Sequence, residues 1–128
     1  MPQYMLLIYQ PSDRTATSEE MAADLPRWNA YTEELQKAGI MLAGDALHPG
    51  DSATTVRVRD DETQVTDGPF AETKETLAGY YAINVPDLDT ALKYAAKMPN
   101  ITYGSVEVRP VVDFSQYPAA EEQASATA

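Results

Sequence analysis

"LAGYYAINVPDLDTALKYAAKM", residues 77–98, decides how the chain is read. Residues 77–85 are dense in aromatic and branched side chains, which suit a pleated strand with packed neighbours. Adjacent Tyr80 and Tyr81 then point to opposite faces of the sheet, because side chains alternate along a strand. Asp87 is a residue type that caps helices, its carboxylate accepting from the first unpaired N–H groups. Leu88, Ala91, Leu92, Ala95 and Met98 follow at steps of three and four, giving one apolar helix face. The rest of the chain is read outward from this strand–helix unit.

Downstream, "GSVEVRPVV" (104–112) sets Val106 and Val108 against Glu107 and Arg109, which predicts a further strand. After Tyr117 and Pro118 the Ala-, Glu-, Ser- and Thr-rich end has no core-forming periodicity. Residues 1–113 are therefore read as one domain and 114–128 as a mobile tail. Just upstream lies "DGPFAETKE" (67–75), a sharp turn before the central strand. Gly68 tolerates backbone angles that side chains disfavour, and Pro69 fixes its own φ while barring helix before it. Asp67 is placed to accept from N–H groups of the turn. Phe70 is expected to plug the core edge. "ATTVRVRD" (53–60) alternates Thr54, Val56 and Val58 with Thr55, Arg57 and Arg59, as a half-exposed strand does. "TQVTDG" returns as its hairpin partner after a polar turn at Asp60-Asp61-Glu62.

At the start, "YMLLIYQ" (4–10) reads as a strand covered on both faces, closed by Pro11. Thr17 and Glu20 have the spacing of a capping box. Met21, Leu25, Trp28, Thr32 and Leu35 then mark one face of a helix. Pro26 lies inside it and predicts a kink, or a division into a short turn and a 26–38 segment. Gly39 supplies the stop. "IMLAG" (40–44) reads as a second buried strand, and "DALHPGDS" (45–52) as a loop. With the hairpin set aside, the order is that of the α+β, ferredoxin-like split βαβ sandwich. Its helices share one sheet face. The strands are apolar on both sides, so a second copy is expected to cover the other face and complete a dimeric α+β barrel.

A chain of 128 residues suits a single domain, and 44% hydrophobic residues suffice for a core. Twenty acidic against nine basic residues leave a net charge of -11. Such a surface repels phosphate backbones and anionic bilayers, so neither nucleic acid nor membrane is an expected partner. With no cysteine there is no disulfide, thiolate metal site or thiol nucleophile. The N-terminal apolar run is too short to span a bilayer, and no basic residue precedes it as in a signal peptide. A cytoplasmic location is the expectation.

The stretches "YMLLIY", "TEELQKAGIMLAGDALHP", "ATTVRVRD", "TDGPFAETKETLAGYYAINVPDLDTAL" and "GSVEVRPV" together resemble the YCII-related proteins of the DGPF-motif group. The resemblance covers residues 4–112 and implies a dimeric α+β barrel on a ferredoxin-like unit. Most members of that group have no assigned activity. Several are encoded or fused with extracytoplasmic-function sigma factors, which implies a regulatory link as one option. Broader YCII-like proteins carry a histidine–aspartate pair with the histidine on the first helix. Trp28 of "PRWNAYTEE" stands at that place here, so the pair's mechanism does not carry over.

His48 is the only histidine and lies near Asp45 and Asp51, the commonest setting for general acid–base chemistry near neutral pH. His48 is the acid–base candidate, with Asp45 or Asp67 to orient it. Arg57 is the candidate anchor for an anionic group, since a guanidinium clamps carboxylate or phosphate; pairing with a neighbouring acid is the plainer reading. Trp28 and Tyr81 are candidate pocket residues, although either also suits a core. Lys74 among the acids of the signature reads as an ion-pair partner. No metal site and no cofactor are expected, because one histidine without cysteine is a poor ligand set and no glycine cluster forms a phosphate loop. The function expected is binding of a small organic acid or aromatic compound, with cofactor-free enzymatic action as an extension. The alternative is a non-catalytic regulatory or interaction module, linked to a sigma factor. Fold analogy alone supplies the ligand class.

Overall fold

A computed structural model describes residues 1–14, 17–69, 71 and 73–116. The expectations for Phe70 and for the tail beyond residue 116 lie outside the described residues. Strands β1 (Gln3–Pro11), β2 (Met41–Ala46), β5 (Glu75–Asn84) and β6 (Ser105–Pro110) form one antiparallel sheet in the order β2-β5-β1-β6. Helices α1 (Ser18–Lys37) and α2 (Leu88–Ala95) connect them. This is the ferredoxin-like α+β arrangement. Strands β3 (Thr54–Arg59) and β4 (Glu62–Asp67) pair only with each other, as a separate hairpin.

Both helices lie on one sheet face. Tyr4, Leu6 and Ile8 of β1 and Tyr81 and Ile83 of β5 are buried there with Tyr31 and Leu35 of α1 and Ala91 and Ala95 of α2. Leu6, Leu35 and Ile83 are wholly inaccessible. On the opposite face Met5, Leu7, Tyr9, Tyr80 and Ala82 are half-buried. Strand β2 is an edge and mostly exposed, not the buried strand expected from "IMLAG". A five-residue apolar run does not by itself separate an edge from a centre.

The capping box forms: the Thr17 hydroxyl accepts from the Glu20 N–H, and the Glu20 carboxylate reaches back to Thr17. Pro26 does not divide the helix, which runs unbroken from Ser18 to Lys37. The proline removes the hydrogen bond to the Ala22 carbonyl, but both residues are exposed, so water can serve that carbonyl. Asp87 caps α2, accepting from the N–H and hydroxyl of Thr90. Those bonds hold its carboxyl below the ordinary value. Their contribution to stability is thus present above the usual carboxylate range and is lost as pH falls through the lowered pKa.

The hairpin turn has positive φ at both Asp60 and Asp61, 51° and 64°. That is the mirror-image two-residue turn that matches strand twist. Its alternation is real, but Val56, Val58 and Val65 face solvent while Thr55 and Arg57 are half-buried. Among the described residues no helix is long and apolar enough to cross a membrane.

Candidate functional site

A cleft of about 1390 Å³ opens between the first half of α1 and the sheet. Its helix wall is Met21, Leu25, Trp28 and Thr32. Met21 and Leu25, 63% and 57% exposed, continue the stripe that Leu35 anchors in the core. The first two turns of this helix face thus overhang the cleft rather than the packed core.

Tyr81 forms the floor and is held from three sides. Gly44 on neighbouring β2 lets the ring lie against its backbone; a Cβ there would come within 2.7 Å of the ring. Tyr31 meets Tyr81 edge-on at 5.3 Å between centroids. Tyr31 is itself fixed, donating its hydroxyl to the Tyr94 carbonyl at 2.8 Å. Burial pushes the Tyr31 phenol well above its ordinary pKa, so it remains a neutral donor. Finally, the Tyr81 hydroxyl lies 2.7 Å from the Thr32 Oγ1. Two hydroxyls have two protons, and only one is needed between them. The pair can therefore offer its second proton, as well as free lone pairs, to a guest.

The signature turn borders the cleft through Asp67, Gly68, Pro69, Thr73 and Lys74. Gly68 has φ 103°, its N–H donates to Ala53 O at 2.7 Å, and its carbonyl accepts from the Thr55 hydroxyl at 2.9 Å. The turn is thus pinned to the hairpin while its edge faces the cleft. The Ser12 N–H donates to the Lys74 carbonyl at 2.8 Å, which ties the end of the signature to the end of β1. Among the described residues Lys74 has no carboxylate within 4.0 Å.

Of the residues singled out from sequence, Trp28, Tyr81, Asp45 and Asp67 all line the cleft. Trp28 is half-buried, packed against the core on one side and open on the other. Asp45 accepts from the Tyr80 hydroxyl at 2.7 Å, and its carboxylate raises the Tyr80 phenol pKa. His48 is exposed and is not among the lining residues, although Leu47 and Pro49 are. Arg57 sits half-buried on β3 opposite Gln64, also outside the lining.

Arg14, Thr32 and Asn100 line the cleft and escaped the sequence reading. Arg14 sat in a stretch without periodicity, and Thr32 read as helix filling. Asn100 followed a helix end with only Pro99 to mark a turn. Among the described residues no group of three or more His, Asp or Glu side chains is placed to hold a metal.

The profile of the YCII-related domain matches residues 2–115. An uncharacterised protein of Rhizobium meliloti is 38% identical over 112 residues, covering 84% of this chain and 90% of its own. Among solved structures, 5-chloro-2-hydroxyhydroquinone dehydrochlorinase from Burkholderia phenoliruptrix, in complex with 2,5-dihydroxybenzoquinone, is 15% identical. It covers 82% of this chain and 90% of its own, with a TM-score of 0.44.

Proposed function

The chain belongs to the YCII-related domain family, and from that premise we propose that its cleft binds a small organic molecule with an apolar body and at least one oxygen. Catalysis on that molecule without a cofactor is the fuller form of the reading. One observation carries it: a tyrosine locked on three sides presents its hydroxyl, paired with Thr32, to an open cleft beneath Trp28. Apolar walls with a few fixed polar groups are the usual make-up of small-molecule sites. A hydroxyl pair held in advance loses little freedom on binding. In this reading Tyr81 and Thr32 hold the ligand oxygen, Trp28 covers its apolar part, and Asp45 and Asp67 stand at the rim.

Trp28 is the only tryptophan, so its emission reports on the cleft alone. Pools of small aromatic and aliphatic organic compounds are expected to shift or quench that emission saturably. Tyr81→Phe should weaken the best binder roughly tenfold while the fold is retained, the worth of one hydrogen bond. Emission that no pool alters, or a Tyr81→Phe protein that binds like the parent, defeats the reading.

The same reading includes a homodimer across the uncovered sheet face, where Met5, Leu7, Tyr9 and Ala82 offer an apolar surface. Light scattering is expected to give twice the chain mass, and Leu7→Asp to halve it. A parent protein with the mass of a single chain at micromolar concentration would count against this assembly.

A further inference from the structure

Arg14 lies at the mouth of the cleft in an unusual state of readiness. Its guanidinium stacks over the Tyr103 ring at 3.5 Å. The backbone is fixed by the Arg14 N–H, which donates to Pro11 O at 3.1 Å. Stacking holds the guanidinium plane while leaving the N–H edges in that plane, where a carboxylate is gripped by two parallel bonds. Its ion-pair partner among the described residues is Asp24, at 3.7 Å, beyond hydrogen-bond length. Asp24 also has Arg27 at 3.5 Å, so it does not depend on Arg14 for neutralisation. Lys74 borders the same mouth.

The charges around the cleft differ by side. Arg14, Lys74 and Asp24 stand near the end of β1, whereas Asp45 lies on β2, Asp51 in the turn after it and Asp67 at the end of β4. Strands β1 and β2 are separated by β5, about 10 Å across the sheet. Two cations against one carboxylate on the first side, and three carboxylates on the other, favour an anion at the Arg14 mouth.

From this we infer that the cleft takes a monocarboxylate about one aromatic ring long, its carboxylate gripped by Arg14 and its far oxygen bound by the Tyr81–Thr32 hydroxyl pair. The inference rests on the cleft reading above and names the class of ligand. The span follows from α1. Arg14 is tied to Asp24 and Tyr81 to Thr32. Eight residues of helix separate those ties, roughly 12 Å at 1.5 Å per residue. A hydrogen bond of about 2.8 Å at each end leaves roughly 6.5 Å between the ligand's own oxygens. A 4-hydroxybenzoate, with its oxygen groups at opposite ends of one ring, meets that span, and a chain of several methylenes overshoots it.

The test is a series of 4-hydroxyphenyl-alkanoates, from the benzoate to the hexanoate, each paired with its primary amide and titrated against Trp28 emission. Affinity is expected to be greatest for the shortest members and to fall as the chain lengthens, with the acid bound at least tenfold tighter than its amide. Arg14→Gln should erase the acid-over-amide preference, bringing acid affinity down to that of the amide. Asp24→Asn should strengthen acid binding, because it releases the guanidinium. Circular dichroism of each variant checks that it folds. The inference is overturned if amides bind as well as acids, if the hexanoate binds best, or if Arg14→Gln keeps the preference. In those cases amide binding still upholds the cleft. If neither acids nor amides disturb Trp28, both readings fall together.

Discussion

Asn100→Asp is expected to cost about 3–5 kcal/mol at neutral pH, the usual penalty for a buried charge left without a partner. Asn100 is only 2% exposed, in the connection from α2 to β6. Its Nδ2 donates to the carbonyls of Tyr9 at 3.0 Å and Ser105 at 3.3 Å, joining β1 to the start of β6. Aspartate keeps the shape but turns an oxygen toward those two carbonyl oxygens. The folded state would then favour the protonated acid, raising its pKa above the unfolded value near 3.9. For a group so raised, stability is fully present below the unfolded pKa and is lost as pH rises through the folded one. The deficit should accordingly shrink as the solution is acidified from pH 7 toward 4. Urea denaturation of parent and variant at both pH values decides it. Equal midpoints at pH 7, or a gap that stays constant on acidification, would sink the argument.

Gly104→Ala should cost on the order of 3 kcal/mol, at the upper end for forcing a methyl into a filled space. Gly104 does not need glycine for its φ, which lies outside the left-handed region. It needs the missing side chain. A Cβ would fall inside contact distance of the Tyr9 carbonyl oxygen and 3.1 Å from the Asn100 Nδ2. Neither can retreat, since Tyr9 O is held by Asn100 and the Gly104 N–H is bound to Asn100 O at 2.7 Å. Thermal denaturation should show a midpoint lowered by several degrees or more. Combined with Asn100→Asp, the loss should fall short of the sum, because both substitutions break the same contact. A Gly104→Ala protein that melts with the parent would show the connection to be looser than its geometry.

The order of strands and helices was legible because two periodicities alternate cleanly along the chain: period two at residues 104–112 and steps of three and four after Asp87. Failures came where local signals meet tertiary context. Pro26 breaks an isolated helix, yet here the unpaired carbonyl faces water and the capping box and Leu35 hold the two ends. The alternation of β3 revealed a strand but not which face is covered, since only the neighbouring fold decides that. The site divided likewise. Large side chains with a polar tip, Trp28 and Tyr81, are conspicuous and line the cleft. His48 attracted attention as the sole histidine, but chemistry at a position says nothing of where the backbone turns it. Arg14 acquires meaning only from Tyr103, 89 residues later in the chain, a pairing no local window contains.

The β3–β4 hairpin closes its hydrogen bonds internally and returns the chain, through the pinned Gly68, to nearly where it left. For descent with modification this makes it a replaceable part. Insertions and deletions at the Asp60-Asp61 tip leave the register of the four-stranded sheet untouched, so natural selection can lengthen, shorten or repaint this arm at little risk to the fold. Descendants sharing one core can thus diverge first in the piece that stands beside the cleft.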